Sequence, residues 1–172
     1  GILKVHEEAE AAGDFSFVNH HNQAMTYAEE LNDPIPNVFG VRRNQLWWYM
    51  AAQEYTTFGP DLYYDFLLKY QIPIIEKFGL SAYGCCEDLT NKIQYLKLIK
   101  NLRRIAVSPF ADVRKCAEQI EKNYILSWRP NPATMISFGL DENFVRKTIR
   151  ENFEIFKEYG SHFDITLKDV ET

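Results

Sequence analysis

Several things are scarce in this sequence, and each shortage excludes a class of protein. There are three cysteines in 172 residues, two of them adjacent, so no disulfide framework organises the chain and a reducing, cytoplasmic compartment is expected. No apolar run approaches the ~20 residues of a membrane span, and no signal-peptide pattern stands at the start. Basic residues are in the minority. The 19 Lys and Arg against 24 Asp and Glu leave a net charge of −5, which disfavours nucleic acid as a partner because phosphate binding needs a basic face. No Gly-rich phosphate fingerprint follows any apolar run. Linker-like and low-complexity tracts are missing too, so the chain reads as one domain over 1–172.

What is present suits a packed core. Hydrophobic residues make up 46% and charged residues 25% of the chain, a balance that argues against disorder. Aromatics reach 15%, so large rings must pack or line a pocket. The chain opens at Gly1 without an initiator methionine and stops at Thr172 just after an apolar run, which reads as a piece of a longer protein.

The first eighty residues read mainly as helix. Ile2 to Ala12 carries Glu7, Glu8 and Glu10 on a weakly amphipathic helix. From Asp14 to Gly40 the pattern is broken, with Asp33-Pro34 and Ile35-Pro36 marking a loop and a helical piece around Gln23 to Leu31. His20 and His21 sit there as a solvated pair, since adjacent side chains rarely converge on one ion. Asn44 to about Phe58 reads as a helix, because Trp47, Met50, Ala51 and Glu54 fall on one face at helical spacing. Its Trp47-Trp48-Tyr49 cluster either packs in the core or walls a cleft. Gly59-Pro60-Asp61 opens a helix with Leu62, Phe66 and Tyr70, which Pro73 should kink or end. Gly79 closes that unit.

A rhythm then sets in. Leu80–Cys86, Arg104–Phe110, Tyr124–Trp128 and Phe163–Val170 are strand candidates. Between them run helical stripes: Leu89, Ile93, Leu96 and Ile99; then Val113, Cys116, Ala117 and Ile120 after an Asp112 cap; then Val145, Ile149, Phe153 and Phe156 after an Asp141 cap. Strands alternating with helices at this spacing imply parallel βα units. Four units leave open edges, and a whole (β/α)₈ barrel takes about 250 residues. The expected fold is α/β: the C-terminal part of a TIM-type barrel, four βα units preceded by a helical region.

In such barrels the chemistry sits at the C-terminal ends of the strands. That rule selects Cys85, Cys86 and Glu87; Ser108-Pro109; Ser127 and Arg129; and Lys168 and Asp169. His162 falls at the opposite end. Strand alternation sends Cys85 and Cys86 to opposite faces unless the strand has already ended. One thiolate with Glu87 or Asp169 forms a possible open zinc site, although C-x-x-C spacing is absent. Arg129 suits a carboxylate-bearing substrate or a loop-holding salt bridge. Lys168 and Asp169 either act at the rim or pair with neighbours. Cys116, on an apolar helical face, reads as a buried small hydrophobe.

Taken together, Phe78-Gly79-Leu80, Tyr83-Gly84-Cys85-Cys86-Glu87 and Leu89 resemble the uroporphyrinogen decarboxylase superfamily, and within it a branch of bacterial decarboxylase-like proteins. The resemblance continues through Asn101-Leu102-Arg103-Arg104, Val107-Ser108-Pro109, Pro130-Asn131-Pro132-Ala133 and Leu167-Lys168-Asp169, with Leu46-Trp47 and Gln53-Glu54 upstream. It covers roughly residues 14 to 172.

The resemblance implies a (β/α)₈ barrel whose N-terminal half is missing here. It implies either zinc-dependent methyl transfer from a corrinoid to a thiol or cofactor-free decarboxylation of a tetrapyrrole acid. In the methyltransferases a His-x-Cys and a later Cys bind zinc. Cys85 or Cys86 falls where the first cysteine would stand, but Tyr83 occupies the His position if Cys85 is the match, and Lys168-Asp169 lies near the place of the later cysteine. Glu87, Asp169 or a residue outside the chain would then complete a zinc site. The implied catalytic set is Glu87, Arg129, Lys168 and Asp169, with Cys85 and Cys86 as metal ligands. Implied partners are a small-molecule or tetrapyrrole substrate and a corrinoid protein. A third possibility is a non-catalytic barrel that binds a corrinoid or a protein. The chain alone is expected to be inactive and to self-associate over its open sheet edges.

Overall fold

The computed structural model describes residues 1–17, 28–33, 35, 37–136 and 139–167. His20, His21 and most of the helical piece expected around Gln23 to Leu31 lie outside these residues, as do Lys168 and Asp169.

Five parallel strands form one sheet in the order β1-β2-β3-β4-β5. They are β1 (Trp47–Met50), β2 (Leu80–Tyr83), β3 (Leu102–Val107), β4 (Ile125–Trp128) and β5 (His162–Ile165). Consecutive parallel strands that lie side by side need a crossover each time, and right-handed crossovers in one direction put every connecting helix on the same face. The packing agrees. A single core cluster joins Tyr83, Ile105, Val107, Leu126 and Trp128 of the sheet to Tyr63, Leu68, Ile75, Ile93, Leu96, Cys116, Ala117, Ile120 and Phe156 of the connections. This order also lacks the reversal that defines a doubly wound sheet. The fold is therefore mixed α/β with a five-strand parallel sheet, an arrangement compatible with part of a TIM-type barrel.

β1 corrects the expected helix over Asn44 to Phe58. Trp47, Trp48, Tyr49 and Met50 pair with Leu80, Ser81, Ala82 and Tyr83. A four-residue aromatic run has high strand propensity, and its three- and four-residue spacings are too few to define a helix. Trp48 stacks on Phe78 with ring centroids 4.3 Å apart, so it packs on the helix side, while Tyr49 points the other way.

The connection from β1 to β2 is helical but irregular. α2 (Pro60–Tyr63) begins on Pro60, whose missing N–H costs nothing there. A π-helical turn over Tyr64–Leu68 then rotates the inward face before α3 (Lys69–Ile75). Leu62, Phe66 and Tyr70 consequently line the solvent side, at 50%, 65% and 64% exposure; Tyr63, Leu68 and Ile75 face the core instead. Pro73 lies inside α3, which ends two residues later.

The later stripes are borne out in part: Cys116, Ala117 and Ile120 of the second are buried with Val113 half-buried, and in the third Phe156 is buried while Val145, Ile149 and Phe153 are half-buried. Leu89, Ile93, Leu96 and Ile99 are all in the core, although α4 is only the turn Ile93–Leu96. α5 (Val113–Ile120) is capped by the Asp112 carboxylate, which accepts from Lys115 N–H. After α6 (Pro132–Ile136), the long α7 (Glu142–Glu158) is capped by Asp141, which accepts from Asn143 and Phe144 N–H. Phe156 of α7 packs edge-on against Trp128.

The N-terminal α1 (Ile2–Ala12) is built from good helix formers and ends at Gly13, whose φ of 79° provides the left-handed cap. It buries none of its residues fully and is held by two contacts. Glu10 takes hydrogen bonds from Arg43 Nε, Nη2 and backbone N–H, and His6 sits edge-on to Phe15, Trp48 and Phe78. Burial first, and then the Arg43 charge, holds His6 below its ordinary value of 6.5. The Arg43 hydrogen bonds hold Glu10 below 4.5. Both groups have depressed folded pKa values, so both favour docking above their unfolded values and lose that contribution as pH falls. Amide-exchange protection of residues 2–12 should therefore drop on acidification from about pH 7 to about pH 5, led by His6, while protection of β3 holds. Equal protection of α1 at both pH values would contradict this.

Candidate functional site

The Tyr83-Gly84-Cys85-Cys86-Glu87 segment leaves the C-terminal end of β2 at the middle of one sheet end. β2 stops at Tyr83, and Gly84 takes a φ of 98°, which side chains rarely tolerate. A Cβ there would also stand 2.5 Å from Leu89 Cδ1 and 3.0 Å from Ala106 Cβ. This turn breaks the strand alternation before the cysteines are reached. Cys85 and Cys86 therefore do not diverge to opposite faces: their sulfurs lie 3.5 Å apart. Cys85 is buried and Cys86 half-buried, and no disulfide joins them.

Three side chains hold this loop. Glu87, 1% exposed, accepts a hydrogen bond from Ala52 N–H at Oε1 and one from Cys85 N–H at Oε2, both at 2.7 Å. It thus ties the thiol loop to the segment leaving β1. Arg129 follows β4, and its Nη1 donates to the carbonyls of Gly84, at 3.2 Å, and Cys85. Burial lowers the Arg129 pKa, against the opposing influence of Tyr49, Cys85 and Cys86. Tyr49 of β1 is the third, hydrogen-bonded to the Cys85 side chain. Burial raises its pKa first, and that hydrogen bond adds to the rise.

Behind the loop, Lys92 is buried and donates from Nζ to the carbonyls of Tyr55 and Thr56 at 2.6 and 3.0 Å. Desolvation lowers its pKa, while Glu87 and Asp88 pull it back up. Tyr83 hydroxyl donates to Gln71 Oε1 at 2.5 Å, which anchors the strand end to α3.

The sheet face away from the helices is polar. Ala82, Gly84, Arg104, Ala106, Ser127 and Arg129 line one crevice there. Arg104 makes a two-pronged pair with Asp164 of β5, at 2.8 Å from both Nε and Nη2. Ser127 hydroxyl donates to the same carboxylate at 2.8 Å. The register puts Ser127 opposite Asp164 on neighbouring strands, so one carboxylate serves two strands.

Of the residues selected from sequence, the structure brings together Cys85, Cys86, Glu87 and Arg129. Lys168 and Asp169 fall outside the described residues. Cys116 is fully buried, with its thiol pushed up to about 12 by desolvation, in keeping with a small core residue. Tyr49, Arg104 and Asp164 belong to the site region and were not selected from sequence. Alternation within their strands was the available signal for Arg104, which precedes the core residue Ile105, and for Tyr49, which stands between Trp48 and Met50 packed against the core. Asp164 lies between the exposed Phe163 and Ile165 and gave none. Among the described residues no cluster of three or more Cys, His, Asp or Glu stands ready for a metal.

No family model, no curated protein and no solved structure matches the chain. No helix among the described residues is long and apolar enough to cross a membrane.

Proposed function

We propose that this sheet is part of a (β/α)₈ barrel of the uroporphyrinogen decarboxylase-like kind, and that the parent protein transfers a methyl group from a corrinoid to a thiol with zinc held by Cys85 and Cys86. The observation that carries this reading is the sulfur pair, 3.5 Å apart at the C-terminal end of the sheet, where barrel enzymes keep their chemistry. The two sulfurs supply half of a tetrahedral set, since thiolates on one zinc ion lie about 3.8 Å apart. Both Glu87 oxygens are taken by backbone N–H groups, so the remaining ligands would come from Asp169 or from outside this chain. Bound zinc supplies Lewis acidity that lowers the pKa of a thiol at an open position.

The chain's own residues prepare that position. The Arg129 guanidinium holds the carbonyls of Gly84 and Cys85 and brings a buried positive charge to the thiol loop. Tyr49 orients Cys85 through its hydrogen bond, and Glu87 fixes the backbone that carries both thiols. Glu87, Arg129 and Cys85 are buried and Tyr49 and Cys86 half-buried, and burial strengthens the charge interactions around the thiols.

A second reading is cofactor-free decarboxylation of a tetrapyrrole acid. It draws on Arg129 at the C-terminal end of β4, because arginine suits carboxylates; Arg104 already spends its paired N–H bonds on Asp164. Methyl transfer from methylcobalamin to a small thiol, followed by the corrinoid absorbance in the full-length parent, separates the readings. The methyl-transfer reading expects turnover that falls at least about a thousandfold in the Cys85→Ser/Cys86→Ser variant, the scale of losing an activating metal. Turnover unchanged in that variant contradicts it. Porphyrinogen decarboxylation that survives the change supports the second reading, and corrinoid binding without turnover points to a binding module.

A further inference from the structure

The two thiols are adjacent in sequence, and that geometry favours one class of ligand over others. Neighbouring Cα atoms lie about 3.8 Å apart across a trans peptide, whereas disulfides prefer at least about 4.4 Å. A bond directly between Cys85 and Cys86 would be strained and readily reduced. An atom placed between the sulfurs removes that strain. With bonds of about 2.3 Å, a tetrahedral centre spreads two sulfurs to about 3.8 Å and a pyramidal centre, with angles near about 100°, to about 3.5 Å. The observed separation is 3.5 Å, so little movement is needed to seat a bridging atom.

The surroundings point the same way. Cys86 is half-buried and so offers the first contact, while Cys85 lies behind it at 4% exposure. Soft thiolates select soft partners. Among the described residues no third Cys, His, Asp or Glu groups with the pair, so a partner satisfied by two sulfurs is better served than one that needs four protein ligands.

We propose that Cys85 and Cys86 form a bidentate dithiol site for thiophilic pyramidal electrophiles, with trivalent arsenicals as the ligand class. With an organoarsine oxide, the Cys86 thiol adds across the As=O bond, giving one As–S bond and an As–OH. The Cys85 thiol then displaces that hydroxyl as water. Two S–H bonds and one As=O become two As–S bonds and one H₂O, with no change in oxidation state. This site stands independently of the methyl-transfer reading, because it requires neither zinc nor a corrinoid.

Phenylarsine oxide is the probe. The unaltered chain, incubated with one equivalent and measured by intact mass, should carry one phenylarsenic group. That adduct should survive excess 2-mercaptoethanol and be removed by dithiothreitol, because only a second dithiol matches the chelate. Cys85→Ser and Cys86→Ser should each weaken retention by about a hundredfold or more, the scale of a lost second attachment, whereas Cys116→Ser should leave it unchanged. Stripping of the unaltered chain's adduct by monothiol overturns the proposal, and that measurement needs no variant to fold. Full retention by either single variant overturns it as well. Absence of methyl transfer in the untreated parent, with the arsenical adduct still forming on the chain, would count against the function reading alone.

Discussion

Replacing Glu87 by alanine is expected to destabilise the protein by about 3–5 kcal/mol, because two buried backbone donors each lose an acceptor and each unmet donor costs about 1–3 kcal/mol with more for charged partners. The amides of Ala52 and Cys85 both point at this carboxylate from 2.7 Å, and the side chain is 1% exposed, so water cannot easily replace it. Alanine also leaves a cavity beside Lys92, whose charge is buried among the Tyr55 and Thr56 carbonyls. Glu87→Gln keeps one carbonyl acceptor but turns an amide N–H₂ toward the other donor, so roughly half of the loss should remain. Urea unfolding measures both: with slopes of about 1–3 kcal/mol/M, the alanine variant should lose at least about 1 M in midpoint. A midpoint within error of the parent would mean that the two amides have another acceptor. Because Glu87 holds the thiol loop, the same variant should also weaken retention of phenylarsine oxide.

Arg104→Met is the second large effect, expected to cost about 2–4 kcal/mol, somewhat below the cost of breaking a fully buried pair. Arg104 is buried, but the Asp164 side chain keeps 24% of its exposure and can recover some water. The pair links β3 to β5 across β4, and Ser127 and Thr166 complete the network. Removing only the arginine leaves Asp164 without its cation. Replacing both partners, as Arg104→Met/Asp164→Leu, should recover more than half of the loss, since apolar side chains pack where the ions had been desolvated. The diagnostic quantity is the coupling energy of the double-mutant cycle, expected above about 1 kcal/mol for residues in one network. Strictly additive single effects would show that the two side chains act independently.

How much of this was legible in the sequence depended on which face of an element carried the pattern. The stripes on α5 and α7 are amphipathic at helical spacing, and their Asp112 and Asp141 caps stand where a cap must, so those elements could be read without a fold. β2 to β5 announced themselves as short runs between helices, but not their bounds: Leu80–Cys86, Arg104–Phe110 and Phe163–Val170 were expected where the strands are Leu80–Tyr83, Leu102–Val107 and His162–Ile165. β1 did not, because four large residues, all half-buried, show no contrast between faces, and three-residue spacing in so short a run fits a helix equally well. The other face of the sheet was opaque for a different reason. Arg104 is buried and Asp164 half-buried, and hydropathy reads such residues as exposed until register brings them together with Ser127. Tyr49 was hidden by the same error that hid β1.

The cysteines were found, but their direction was not. Alternation holds only while the strand continues, and the positive φ at Gly84 ends it one residue before Cys85. That single backbone turn converts two diverging thiols into a pair whose sulfurs lie 3.5 Å apart. Gly79 makes a related point: it was read as a helix-closing residue, yet its N–H donates to the carbonyls of Arg43 and Leu46 at 3.2 and 3.0 Å. It lies where two backbones meet, four residues beyond Ile75, the last residue of α3.

The measurement that tests the central claim most directly is zinc content of the full-length parent, purified without chelator, beside its Cys85→Ser/Cys86→Ser variant. Stoichiometric zinc in the parent, lost in a variant that keeps its circular dichroism spectrum, is the predicted result. Stoichiometric zinc retained by the folded variant, or a parent that takes up no zinc even when it is supplied, would contradict the assignment of Cys85 and Cys86 as metal-binding thiolates.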